Sequence, residues 1–180
     1  MLDWLRRLLS AHEVKVEEPI LPVAKPVVQA MGSNSRKLSP KQEVAEWIES
    51  MKECNTPLWV IWRELSAKVS KTEDFQTMLA YHNAADKMEK MVVDRNLKGK
   101  EYEKAGEEGK AIRLYEANVR DCFDGSHPYE RLRIIYTYKK KYKDAIRVCD
   151  AYISNGQQDP KLKEKYIQVI KDLSARLNES

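Results

Sequence analysis

Apolar residues recur along most of this 180-residue chain at steps of three and four, the spacing that lines one face of an α-helix. Leu2, Leu5, Leu8 and Leu9, with Trp4 beside them, mark a short amphipathic helix over residues 1–12. Helices of fewer than about 12 residues are marginal in water, so this one calls for a surface: the protein's own body, another chain or a lipid interface. Residues 13–38 break the pattern with Pro19, Pro22, Pro26 and a run of small polar residues, and read as a flexible linker. A single helical domain is predicted over 39–180. It opens at Ser39, where Ser-Pro-Lys-Gln combines a hydroxyl cap, a first-turn proline and Gln42 in capping-box position. Val44, Trp47, Ile48 and Met51 form the face of the first helix. Thr56-Pro57 repeats the cap-plus-proline device ahead of Leu58, Ile61, Trp62, Leu65 and Val69, and the two helices are expected to pair as a hairpin. A third pattern begins near Thr72 with Phe75, Met78, His82, Ala85, Met88 and Val92. No proline follows until Pro128, so this helix can run directly into what comes next.

What comes next repeats itself. Aligning the stretch from Gly99 with that from Arg133 matches Tyr102 to Tyr136, Ala111 to Ala145, Ile112 to Ile146, Arg113 to Arg147 and Ala117 to Ala151, each pair 34 residues apart. Two antiparallel helices of about three turns plus two tight turns consume about that length. After Asp159-Pro160, Leu162, Tyr166, Ile170, Leu173 and Leu177 form one more stripe, opposite a face of Lys161, Lys163, Glu164, Lys165, Gln168, Lys171 and Asp172. A helix with one apolar and one charged face suits the open end of a stack.

On these residues, 92–158 resembles two tetratricopeptide repeats, with 159–178 as a capping helix. The resemblance implies an all-α fold of antiparallel helix hairpins stacked as a short right-handed superhelix behind a flexible N-terminal tail. It assigns packing roles to Gly99, Tyr102, Leu132 and Tyr136 on the first helix of each pair. On the second helices it assigns them to Ala111 and Ala145 at the crossing, and to Tyr115 and Cys149 four residues later. Gly106 takes the loop position, held by Lys140 in the second copy. The pattern also departs from the family: Arg95 and Tyr129 stand where tryptophan is usual, Lys98 replaces a large aliphatic residue, and the closing proline is missing at Phe123. Two copies fall short of the three a free-standing array needs. Residues 39–91 are therefore expected to seal the upstream end.

Composition narrows the function. The 32 basic and 28 acidic residues nearly cancel and are interspersed, which describes a solvated surface rather than a nucleic-acid footprint. Lys139, Lys140, Lys141 and Lys143, interleaved with Tyr138 and Tyr142, make the best basic patch, at a turn where exposed lysines complement a helix C-terminus. Cys54, Cys122 and Cys149 lie in predicted helical segments without CxxC spacing, and read as reduced, mostly buried thiols of a cytoplasmic protein. Arg6 and Arg7 interrupt the N-terminal apolar stretch, so it does not read as a signal peptide. His82 and Asp86 share an i, i+4 spacing but lack a third ligand, and His82 is expected in the core stripe. No phosphate loop, nucleophile elbow or zinc-protease motif occurs, so neither a cofactor, a metal nor catalysis is expected.

The family resemblance implies binding instead. The first helices of successive pairs line a concave groove, placing Asn96, Lys100, Glu103 and Lys104, then His127, Glu130, Ile134, Thr137 and Tyr138, against a peptide or helix of a partner. Lys and Asn would hold a carboxylate, Ile134 and Tyr138 an apolar group. Two other readings stand beside it: an adaptor tethered to a membrane surface or larger complex through residues 2–12, and a nucleic-acid-associated regulator.

Overall fold

A computed structural model describes residues 38–155 and 159–179. The expected helix of 1–12 and nearly all of the linker of 13–38 lie outside these residues. The described residues fold into seven helices and no strand: α1 (Pro40–Glu53), α2 (Leu58–Val69), α3 (Phe75–Lys104), α4 (Glu108–Arg120), α5 (His127–Tyr138), α6 (Tyr142–Ser154) and α7 (Pro160–Asn178). None of them is long and apolar enough to cross a membrane.

Local chemistry sets several of the starts. Ser39 caps α1 through a capping box: its Oγ accepts the Gln42 N–H, and its own N–H donates to Gln42 Oε1 at 3.0 Å. Asp159 accepts the Lys161 N–H at 2.9 Å ahead of Pro160 in α7. The expected cap at Thr56 does not form. Pro57 is itself the cap residue of α2, no side chain caps it, and the Trp59 N–H is satisfied instead by the Asp121 carbonyl at 3.0 Å. The third helix starts at Phe75 rather than near Thr72, because Asp74 accepts the Thr77 N–H at 2.7 Å.

Two apolar clusters share α3. The first joins Val44 and Ile48 of α1 and Trp59, Ile61 and Leu65 of α2 to Ala85, Met88 and Val92 of α3. Here α1 rests mainly on α3 and only slightly on α2, so the first two helices do not form the expected hairpin. Phe75 and His82, expected in the buried stripe, are exposed, His82 lying 3.3 Å from Asp86 on the outer side of α3. The second cluster packs Ala111, Tyr115, Leu132, Ala145, Cys149 and Tyr166 from α4 to α7, with Tyr102 of α3 against it. Helix α3 crosses residue 91 without a break, so the boundary expected between N-terminal helices and repeats falls inside a continuous 30-residue helix. The cysteines also differ from expectation: Cys149 is buried in α6, but Cys54 is exposed just past α1, and Cys122 is half-buried in the turn after α4.

The turns within the two hairpins are alike. Gly106 and Lys140 both adopt left-handed backbone, at φ 75° and 57°. The Glu107 N–H reaches back to the Tyr102 carbonyl and the Lys141 N–H to that of Tyr136, both at 2.8 Å, closing the same C-terminal motif 34 residues apart. This register makes Lys100 equivalent to Ile134 and Lys104 to Tyr138.

A polar clasp joins the clusters at the loop between α4 and α5. Arg63 pairs with Asp124 and donates to Asn155 Oδ1 at 2.9 Å, while Arg95 pairs with Asp121. Asn155 Nδ2 donates to the Cys122 carbonyl at 2.7 Å and the Phe123 carbonyl at 3.2 Å. The Phe123 ring meets Trp59 edge-on, 5.0 Å between centroids.

Candidate functional site

The second half of α3 and the whole of α5 carry the nine residues expected to face a partner. Their spacing begins at Gly99, which is buried and has no side chain to hold the next helix away. A methyl group there would stand 2.4 Å from the Tyr115 ring, so glycine lets that ring lie flat against α3. The ring's hydroxyl then reaches across and donates to Glu103 Oε2 at 3.1 Å, with His127 Nε2 3.5 Å away. Arg131 closes the group from α5, its Nε 2.9 Å and 3.1 Å from the two carboxylate oxygens of Glu103 and its Nη2 on the same carboxylate.

The electrostatics follow from this geometry. Arg131 holds the Glu103 carboxyl below its ordinary value, and burial, then the hydrogen bond to Glu103 and its charge, push the Tyr115 phenol up. Burial, with Lys100 and Arg131 nearby, lowers His127, which is therefore neutral at pH 7. Burial also raises the Cys149 thiol to about 12. None of these shifts activates a nucleophile; each favours a settled structural state.

Next to Arg131 on α5, Glu130 faces the opposite neighbour. It accepts from Arg133 at 2.7 Å and 3.1 Å, from Lys165 Nζ at 3.3 Å and from the Tyr166 hydroxyl at 3.2 Å. Burial opposes its ionisation, yet Arg133 and Lys165 outweigh that and hold the carboxyl down at about 2. Glu103 and Glu130 thus tie α3 to α5 and α5 to α7. Breaking either tie to hold a ligand would leave a partly buried charge unpaired, so these two residues are occupied in the fold.

The other expected residues divide cleanly. Asn96 and Thr137 are half-buried, and Asn96 Oδ1 and Thr137 Oγ1 have no hydrogen-bond partner among the described residues. Lys100 and His127 are half-buried beside the Glu103 pair, and Lys104 is exposed. Ile134 is 36% exposed and Tyr138, one turn on, 87%. Of the eight packing residues, Tyr102 is half-buried and Gly99, Ala111, Tyr115, Leu132, Tyr136, Ala145 and Cys149 are buried.

No protein-family model, curated protein or solved structure matches this chain. Its own geometry is therefore the basis for any functional reading. Sequence reasoning missed Arg131 and Arg133, whose acidic partners are set by helix packing. It also missed Glu116 of α4, which accepts from the Tyr136 hydroxyl and from Arg147 Nη2, both at 2.6 Å. Only the 34-residue register hinted at such cross-helix neighbours. The lysine run after α5 is partly committed as well, since Lys139 pairs with Glu108 and Lys140 forms the turn. Among the described residues, no group of three or more His, Cys, Asp or Glu is placed to hold a metal ion.

Proposed function

We propose that this protein is a non-catalytic scaffold of tetratricopeptide type, whose α3 and α5 together hold an extended peptide or helix from a partner protein. The observation that carries the reading is the exposure of Ile134 and Tyr138 in register with Lys100 and Lys104. An exposed aromatic and aliphatic pair on one helix, in register with two lysines on its repeat neighbour, suits a segment with an acidic edge and an apolar edge. The Glu103–Arg131 and Glu130–Lys165 ties support it by keeping the three helices in place, which lowers the ordering cost of binding. A displayed random-peptide library selected on the full chain tests this directly. Sequences combining Asp or Glu with Leu or an aromatic residue are expected to be enriched, and to lose binding to a Lys100→Ala, Tyr138→Ala double variant. Equal recovery on both proteins would refute the reading.

A further inference from the structure

A second surface runs along α3 from the upstream cluster onto the start of the first hairpin. Between α1 and α3 is a cavity of about 860 Å³ floored by Val44, Ile48, Leu58 and Met88 and walled by Leu79 and Met91, which are 39% and 40% exposed. A second hollow of about 370 Å³ shares Lys87 and Met91 with the first and continues to Lys98 and Leu114. Together they form one furrow along α3 from Gln76 to Lys98, roughly 33 Å at ~1.5 Å per residue. That is the length of a helix of about 20 residues.

The charges along this furrow are strongly one-sided. Its basic members are Lys41, Lys52, Lys87, Lys90, Arg95 and Lys98, and its acidic members Glu49 and Asp94. Lys52 is neutralised by Glu49 at 2.8 Å and Arg95 by Asp121. Lys41, Lys87, Lys90 and Lys98 are exposed and have no ion-pair partner among the described residues, against Asp94 alone. These lysines border a furrow whose floor of Val44, Ile48, Leu58 and Met88 is buried and whose exposed apolar side chains are Leu79 and Met91, which suit an apolar contact from a partner.

We infer that this furrow receives an acidic amphipathic helix from a partner protein. Leucine-type side chains at i, i+3, i+4 and i+7 enter between Leu79 and Met91, and flanking glutamates meet the unpaired lysines. The charge pattern selects this occupant. A basic amphipathic helix, such as one carrying paired arginines, meets the lysines with like charge, and the apolar floor gives a purely polar acidic chain no anchor.

The test uses the full chain and a synthetic 20-residue helix with leucines on one face and glutamates beside them, followed by fluorescence anisotropy. A peptide with every glutamate replaced by lysine and vesicles of equimolar phosphatidylcholine and phosphatidylserine are measured in parallel. Binding of the acidic peptide is expected to weaken steeply with salt and by about tenfold in a Lys87→Glu, Lys90→Glu variant, which breaks no hydrogen bond or ion pair among the described residues. A Lys100→Ala, Tyr138→Ala variant is expected to bind it unchanged, which separates this surface from the repeat face. The inference is overturned if the lysine peptide binds as well as the acidic one, if the charge-reversed protein binds undiminished, or if the vesicles bind and the acidic peptide does not.

Discussion

Replacing Glu130 by glutamine removes one charge from the tie between α5 and α7 while keeping an oxygen that can accept from the Tyr166 hydroxyl. In the folded protein the carboxyl lies at about 2, against an ordinary value of 4.5. A folded-state value below the unfolded one means stabilisation that is complete above about pH 4.5 and is lost as pH falls towards 2. Each tenfold change in proton affinity corresponds to ~1.4 kcal/mol, so the ceiling is about 3 kcal/mol. The side chain is 29% exposed, and solvent screening brings the expected contribution to on the order of 2 kcal/mol. Urea denaturation of the wild type and Glu130→Gln, followed by circular dichroism from neutral to strongly acidic pH, measures it. The variant is expected to be less stable by about 2 kcal/mol at neutral pH, with the gap closing as the wild-type carboxylate takes up its proton. Glu103, also held below its ordinary value, titrates in both proteins and cancels in the difference. A gap that is absent at neutral pH, or that persists unchanged in acid, would refute the reasoning.

Three further outcomes follow from the backbone and the packing. Gly106 and Lys140 share a left-handed conformation, so Gly106→Ala should lower stability by about 1 kcal/mol and Lys140→Gly should raise it by a similar amount, as read from urea midpoints. Gly99→Ala pushes a methyl group into the Tyr115 ring and should cost about 1–3 kcal/mol, with a changed near-ultraviolet dichroism as the tyrosine moves; an unchanged spectrum and midpoint would contradict the close approach. Asn155→Ala strips the Cys122 and Phe123 carbonyls of their shared donor and should cost about 1–3 kcal/mol, with faster hydrogen exchange in the loop between α4 and α5.

The sequence exposed most clearly whatever is decided within a few residues. The Ser39–Gln42 capping box, the Asp159–Pro160 start and the paired turns at Gly106 and Lys140 are local devices, and each appears in its expected place. Thr56-Pro57 had the same outward form as Ser39-Pro40, but the Trp59 N–H found a carbonyl from a turn far along the chain. Phe75 and His82 continued a helical stripe with the right spacing, yet nothing in the stripe says where the facing helices stop. The candidate site was half legible. The 34-residue register brought Lys100, Lys104, Ile134 and Tyr138 into correspondence, while the demands of α3 and α7 on Glu103 and Glu130 depended on arginine and lysine side chains arriving from neighbouring helices.

At ~1.5 Å per residue the 30-residue α3 is about 45 Å long, and it belongs at once to the upstream cluster and to the first hairpin. An ordinary repeat array can acquire copies at either end. On the repeat reading proposed above, the upstream end is closed to growth, because α3, on which a new copy would stack, is already covered by α1 and α2. On the same reading, a hairpin added between α6 and α7, with α7 re-seating on it, would lengthen the stack at its other end. However many copies were added there, the furrow beside Met91 would keep the same separation from Lys100. The two proposed surfaces share one helix, α3, so the distance from Met91 to Lys100 does not depend on the number of hairpins.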